Sequence, residues 1–508
     1  MEMLYIQTIQ GTSVVNTVTF QSEQGDSSLC KLIYPVTSGG VVLTLDEIDH
    51  FQFKHLTIGD STPLNFGNPM GATIALFDCT DILFSNNQIV SHKVSHGNGP
   101  PSLSAIGIYG AGCNNNRFYN NLVRYGDVGI CNTDTAHTTV LDGNTFTDVA
   151  SAIFYGKNQD SLYIKNNKLH STSTLGEIIY LENCNCAIEI TGNQFNPEYY
   201  CYCYPDNEGI HLKSCTGTLS GPILIANNFI AFTETMYCNS DQMSGIFTDT
   251  SSYITILHNT IVMNIGEGYP TYSAAVKVKR GTAVKIQNNI LSNFGMGYAL
   301  KVFYPYSVNS NNNNLYSATG AIAYDYAGLS SSAYQSLTLS EWRTYSGHDL
   351  NSISATPPLM YVLAPNPNAL LADLHIYTGS SNPAVSALNF TQVPFDIDGD
   401  FRPATPTIGA DQFVPVASVA SHTDATSEIK VYPVPSDGFV TVDLGSNEVS
   451  DVTIQLMDIA GNILEEKTIP QVQGPLVNGI NIAAYSRGVY MLHIQSDTVD
   501  VYQRIVRE

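Results

Sequence analysis

Between Gly209 and Cys215 the chain reads Gly-Ile-His-Leu-Lys-Ser-Cys, so His211 and Lys213 alternate with the apolar Ile210 and Leu212. In a strand, alternation of this kind sends the apolar pair to one face and the two chemically capable side chains to the other. Similar strands on either side carry Glu182 and Asp249. A set of this type admits three readings. Elimination from a uronate needs a base, which His211, Lys213 or Lys277 could supply, and a cation to neutralise the carboxylate beside the departing proton. Glycoside hydrolysis needs two carboxylates. Glu182 and Asp249, two strands apart, would stand roughly 9 to 10 Å from each other, at the upper edge of an inverting pair. Lys213 between them would keep both ionised and argues against that reaction. The third reading is a solvated ladder of ion pairs with no chemistry at all.

These residues can share a face only if the chain repeats. A short unit, Asn-x-apolar, follows an apolar strand at Asn87, Asn121, Asn144, Asn167, Asn193, Asn228, Asn259, Asn289 and Asn314, at intervals of 23 to 35 residues, with a weaker early copy at His55-Leu56-Thr57-Ile58. The preceding strands, such as DILFSN, DSLYIKN, GPILIAN and SYITILHN, are rich in β-branched and aromatic residues. Asn tolerates left-handed backbone and so turns a chain sharply. Stacked Asn side chains also hydrogen-bond along a ladder. One such unit cannot bury its apolar face, whereas many stacked units can, and the pattern predicts a right-handed parallel β-helix over residues 1–316.

Alignment by the apolar pairs Ile106/Ile108, Ile130/Asn132, Ile153/Tyr155, Ile179/Leu181, Ile210/Leu212, Ile246/Thr248, Val276/Val278 and Leu300/Val302 gives two outward columns. The first is Gly107, Cys131, Phe154, Tyr180, His211, Phe247, Lys277, Lys301. The second is Tyr109, Thr133, Gly156, Glu182, Lys213, Asp249, Lys279, Phe303. Aromatics at Phe154, Tyr180 and Phe247 would stack on sugar rings. Lys277, Lys279, Arg280 and Lys301 make a basic end suited to uronates or sulfates.

Composition limits the alternatives. The 508 residues carry a net charge of -23, only 13% charged residues, and abundant Asn, Ser, Thr, Gly and Tyr. Nucleic acid is excluded as a general partner, and a monomer is expected. No apolar run is long enough to span a membrane. Ten cysteines suit disulfides in an exported chain. Cys184 with Cys215, and Cys79 with Cys113, fall at equivalent places on consecutive coils and form candidate bridges. A zinc set of Cys184, Cys186, Cys201 and Cys203 is the alternative. No cofactor is specified. Asp396, Asp398 and Asp400 form a miniature calcium-type loop without the later Glu of an EF-hand, and a structural turn with Arg402 pairing one carboxylate is favoured. Thr338-Leu339-Ser340-Glu341 is a capping box that should open a short helix carrying Trp342, the only tryptophan. Residues 317–413 are expected to cap the open C-terminal end of the β-helix.

Two resemblances extend this reading. SEWRTYSGHDLNSIS, ADLHIYTGSSNPAV and DIDGDFRPATPTIGADQF resemble the closing segment of secreted bacterial right-handed β-helix proteins, and VNTVTFQSEQGDSS resembles their opening coil. That group includes polysaccharide lyases and glycoside hydrolases, which would be the enzyme classes here. Asn132-Thr133-Asp134 and Ser95-His96-Gly97 resemble pieces of the polygalacturonase pattern, but in the wrong order and without its Asp-Asp pair, so no catalytic role carries over. After a linker at 414–427, residues 428–508 change to short alternating strands, predicting a small immunoglobulin-like β-sandwich. Tyr432-Pro433-Val434-Pro435 with Gly438, Asp458 with Gly461, and Arg487-Gly488-Val489-Tyr490 resemble the C-terminal sorting domain of the Bacteroidetes type IX secretion system, with Val434 where Asn is usual. The resemblance implies a secreted or outer-membrane-surface protein that engages that machinery. It also implies an export signal, which the opening residues lack, so a truncated start is expected. The expected function is binding, with or without cleavage, of an acidic polysaccharide; the alternative is an adhesin or structural surface protein with no small ligand.

Overall fold

The computed structural model describes residues 3–35, 41–61, 71–93, 103–171, 176–197, 206–233, 242–264, 273–304, 307–325, 334–363, 372–377, 388, 390–413, 430–432, 434, 436, 438–443, 451–458, 462–470, 477–496 and 500–507. The linker 414–427, Cys201, Cys203 and the Ser95-His96-Gly97 segment lie outside them. The chain divides into two compact units, Met1–Val414 and Pro415–Glu508.

The first unit is a right-handed parallel β-helix. Every third strand joins the same sheet, giving, among the described residues, one sheet of thirteen strands and two of eleven. Isoleucines, leucines and phenylalanines of all three sheets fill one continuous core. In the second sheet the rings of Phe53, Phe84 and Phe118 stack at 5.0 and 5.7 Å before aliphatic residues take over the column at Leu141, Ile164, Ile190 and Ile225.

The corner between the second and third sheets explains the Asn repeat. Asn87, Asn121, Asn144, Asn167, Asn193, Asn228, Asn259 and Asn289 are all buried, and each backbone N–H donates to the side-chain oxygen of the next in the series at 2.8–3.1 Å. Each side-chain amide also donates to a strand carbonyl one coil back, as Asn167 does to Leu141 at 3.1 Å. The left-handed residue is the one before, at Asn86, Asn120, Gly143, Asn166, Gly192, Asn227, His258, Asn288 and Asn312. The last rung is therefore Asn313, not Asn314: Asn314 opens the strand that pairs with Ile290. Beyond it Ser352 and Asp349 replace Asn, with the Ser352 hydroxyl accepting from the Asn313 N–H at 2.8 Å.

The expected helix forms at Leu339–Ser346 with a complete Thr338/Glu341 capping box. Trp342 is fully buried against the end of the core and donates its indole N–H to Asp349 at 2.9 Å. Ile322, Tyr324, Leu337 and Leu339 pack against the same end of the core. Leu359, Leu374, Ile376, Ile408 and Ala410 pack on the outward face of the third sheet, on Phe229, Ala231, Val262 and Ile290. The outward corner side chains Asn227 and Asn288 hold this segment by donating to the carbonyls of Phe395 and Leu388.

The cysteines serve a second ladder, not disulfides. Cys79, Cys113, Cys184 and Cys215 are free thiols, as are the other described cysteines Cys30, Cys131 and Cys186. At the corner after the first sheet, the Cys79 N–H donates to the Cys113 sulfur, the Gln159 N–H to the Cys184 sulfur, and the Cys215 N–H to the Ser251 hydroxyl. A thiol or hydroxyl here does what Asn does at the other corner, satisfying an amide that faces the core. Burial pushes the Cys79 thiol up to about 12 and the Cys113 thiol up to about 11. The hydrogen bond to Cys184, with burial, raises Cys215.

The second unit, described by itself, has a three-stranded sheet (Lys430–Tyr432, Phe439–Asp443, Val477–Asn481) and a four-stranded sheet (Ile463–Pro470, Asp451–Met457, Gly488–Gln495, Asp500–Arg507), all antiparallel. Val440, Val442, Ile454, Ile480, Leu492 and Ile494 from both sheets form its core, as in a small sandwich.

Asn167→Ala strands the Asn144 amide and the Leu141 carbonyl in the core. Each orphaned buried group costs about 1–3 kcal/mol, and the denaturant midpoint of the β-helix transition should fall accordingly; a shift within experimental error would show that the ladder is decorative. Cys215→Ser should be well tolerated because Ser251 occupies the same position one coil on, whereas Cys215→Val, which removes the polar sulfur, should lower the thermal midpoint further. Equal effects of the two substitutions would remove the sulfur from this role.

Candidate functional site

The outward face of the first sheet carries the residues singled out by type and spacing. Backbone pairing sets Tyr180, His211, Phe247, Lys277 and Lys301 on successive strands, and Glu182, Lys213, Asp249 and Lys279 likewise, as expected from the alternation. Phe154 is a correction. Phe154, not Ile153, pairs with Ile130, and Tyr155 pairs with Cys131 and Tyr180. The cause is one extra residue in the corner: Arg124 pairs with Thr147 and Val128 with Ala152, so four steps on one coil face five on the next. Phe154 is consequently core, fully buried, and the outward residues of that coil are Tyr155 and Lys157.

The two columns differ in access. In the first, Tyr180, His211, Phe247, Lys277 and Lys301 are all at most 8% exposed. Tyr180 and Phe247 are thus not open platforms for sugar rings. They hold the imidazole instead: Phe247 stacks on His211 at 4.6 Å, Tyr180 meets it edge-on at 5.3 Å, and Tyr155 stacks on Tyr180 at 4.8 Å. Lys277 lies over Phe247 at 4.1 Å and Lys301 near Phe303 at 5.6 Å. Burial raises the Tyr180 phenol, with the Glu182 charge adding to it.

The second column is an ion-pair ladder. Glu182 takes Lys157 at 2.8 Å and Lys213 at 2.9 Å, and Asp249 takes Lys279 at 3.1 Å. Hydrogen bonds from Lys157 and Lys213 pull the Glu182 carboxyl down to about 2. A carboxylate held there cannot donate a proton near neutrality, so Glu182 cannot serve as the acid of a Glu182/Asp249 hydrolase pair. Arg280 is exposed in the left-handed corner beside Lys279, outside both columns.

A third column lies beside these, and strict alternation concealed it. The strand Asp206–Lys213 begins before the apolar pair, and Gly209 and Ile210 both turn inward; a Cβ on Gly209 would stand 2.4 Å from the Gly245 carbonyl oxygen and 3.0 Å from Ile230. This double step returns Glu208 to the outward face beside His211, and Glu177 occupies the same place one coil earlier, where Ile178 donates to the Glu208 carbonyl at 2.9 Å. The His211 Nδ1 is 3.5 Å from Glu177 and 3.9 Å from Glu208. The signal was present in two consecutive strands, Glu177-Ile-Ile-Tyr-Leu-Glu182 and Glu208-Gly-Ile-His-Leu-Lys213.

The Asp396 loop is a turn. The Asp396 carboxylate accepts from the amides of Asp398, Asp400 and Gln412 at 2.7–2.9 Å. Asp398 pairs with His375 at 3.0 Å, which lifts His375 to about 9. The third carboxylate near Asp396 and Asp398 is that of Asp411, not Asp400. Arg402 does not hydrogen-bond these acids. It is buried and donates to Asn227 and to the carbonyls of Gly409 and Ala410, fastening the closing segment to the β-helix.

Fold and tail together define an exported parallel β-helix protein. Residues 40–216 match the right handed beta helix region family, and residues 430–508 match the secretion system C-terminal sorting domain. No curated protein matches the chain. The tail assigns the chain to type IX export, of the Bacteroidetes kind, to the cell surface or beyond, and makes the secretion machinery its partner. No helix among the described residues is long and apolar enough to cross a membrane.

The Glu182 shift sets a pH dependence. Its folded value of about 2 lies below the ordinary 4.5. Its contribution is therefore complete above about pH 4.5 and is lost as pH falls from there through about 2. The thermal midpoint of Glu182→Gln should trail that of the wild type at pH 7, and the gap should close across this window; a gap independent of pH would contradict the ion-pair assignment.

Proposed function

We propose that the first sheet binds an acidic polysaccharide along its accessible strip, without a paired-carboxylate hydrolysis. The observation that carries this reading is charge set against background. In the ladder column Lys157, Lys213 and Lys279, with Arg280 at the adjoining corner, outnumber Glu182 and Asp249 by four to two on a chain of net -23, while Glu177 and Glu208 lie in the column beside them. Lys213 and Arg280 are exposed, so a carboxylate or sulfate can reach them. At the N-terminal side of the same face, Phe77 and Tyr109 stack at 5.1 Å, with Phe77 39% exposed; with the half-buried Tyr155 they offer the apolar contact assigned in sequence to Phe154, Tyr180 and Phe247. An extended polymer suits a face whose chemistry repeats about every 4.8 Å.

A second reading, a structural surface protein without a small ligand, is favoured by the ion pairing of the ladder and the burial of the central column. Affinity electrophoresis of the full chain in gels containing pectate, alginate or chondroitin sulfate separates the two. Retardation in at least one acidic gel, relieved by salt and by Lys213→Glu with Arg280→Glu, and weakened by Tyr109→Ala, is the expected result. Unchanged mobility in every gel would leave the structural reading. New unsaturated or reducing ends in the same incubations would restore an enzyme.

A further inference from the structure

We infer that Glu177, Glu208 and His211 form a site for one divalent transition-metal ion of the zinc type. One ligand atom from each of the three lies within 4.8 Å of the others, two carboxylate oxygens and one imidazole nitrogen. His211 Nδ1 stands 3.5 Å from Glu177 and 3.9 Å from Glu208. Both are too long for a hydrogen bond. They are near the spacing of two donors on a shared ion: with bonds of about 2.0–2.2 Å, tetrahedral ligands stand about 3.3–3.6 Å apart.

The histidine itself points to a ligand. His211 is 8% exposed, and neither of its ring nitrogens has a hydrogen-bond partner among the described residues. A buried polar group in that state is uncommon and calls for an ion or water. The ring is clamped by Phe247 on one face and by the edge of Tyr180, so its Nδ1 is held toward the two carboxylates.

Glu208 is fully buried, where a carboxylate must be paired or must coordinate a metal. One nitrogen and two oxygens suit zinc or manganese better than calcium, whose ligands are oxygens. Three protein ligands leave a coordination position for water or a ligand oxygen. The inference does not depend on glycan binding.

The full chain, stripped with chelator and dialysed, is titrated with Zn²⁺ by calorimetry and with Co²⁺ by absorption. One ion per chain is expected, with Co²⁺ ligand-field bands and no thiolate charge transfer. Glu208→Gln and His211→Ala should each weaken binding at least about tenfold, while Glu189→Gln, on another sheet, leaves it unchanged. Far-UV circular dichroism checks the fold, and the isosteric Glu208→Gln decides if His211→Ala misfolds. Substoichiometric uptake, thiolate bands that assign the metal to cysteine, or wild-type affinity in Glu208→Gln would each overturn the site.

Discussion

Everything in the first unit rests on the hydrogen bonds that run along the buried Asn corner. A parallel β-helix must turn its chain three times per coil, and each turn aims backbone amides at an apolar core where an orphan is costly. Asn resolves this with one side chain: its oxygen takes the amide of the previous rung and its NH₂ reaches a carbonyl of the previous coil. Each rung therefore fixes the height of the next. The opposite corner reaches the same end with sulfur and hydroxyl, which is why the cysteines of a protein bound for the exterior stand as thiols in line with Ser251.

That fixed height makes a functional face possible. With coils locked in register, side chains from residues tens of positions apart stack as columns, and a column can be built rung by rung. Here one column is a charged ladder that reaches solvent, one is a covered series of rings and lysines, and one brings two glutamates to the histidine. The accessible and the buried chemistry are separate. On the proposals above, the ladder would take a long anionic ligand and the Glu-Glu-His set a small cation.

The closing segment uses the same scaffold from outside. Asn227, His258 and Asn288 occupy left-handed corner positions, so their side chains leave the core while their neighbours in the ladder enter it. All three contact residues 388–409, joined by Arg402 from the segment itself. The burial of His258, with Arg402 nearby, keeps its imidazole well below the usual range and neutral. One corner thus serves the interior ladder and the exterior clasp together.

The architecture was legible in the amino-acid sequence because it is periodic. The Asn-x-apolar unit, the alternating strands, the capping box before Trp342 and the sorting motifs each report a local rule, and repetition turns a local rule into a fold. The columns around His211, Lys213, Glu182 and Asp249 were legible for the same reason. What the tertiary structure alone decided was phase. One extra residue before Ala152 rotated Phe154 into the core and Tyr155 out of it. Two successive inward residues, Gly209 and Ile210, returned Glu208 to the face of His211. Alternation carries no memory across an irregular corner or a double step, so only the backbone pairing between coils could establish which side chains meet.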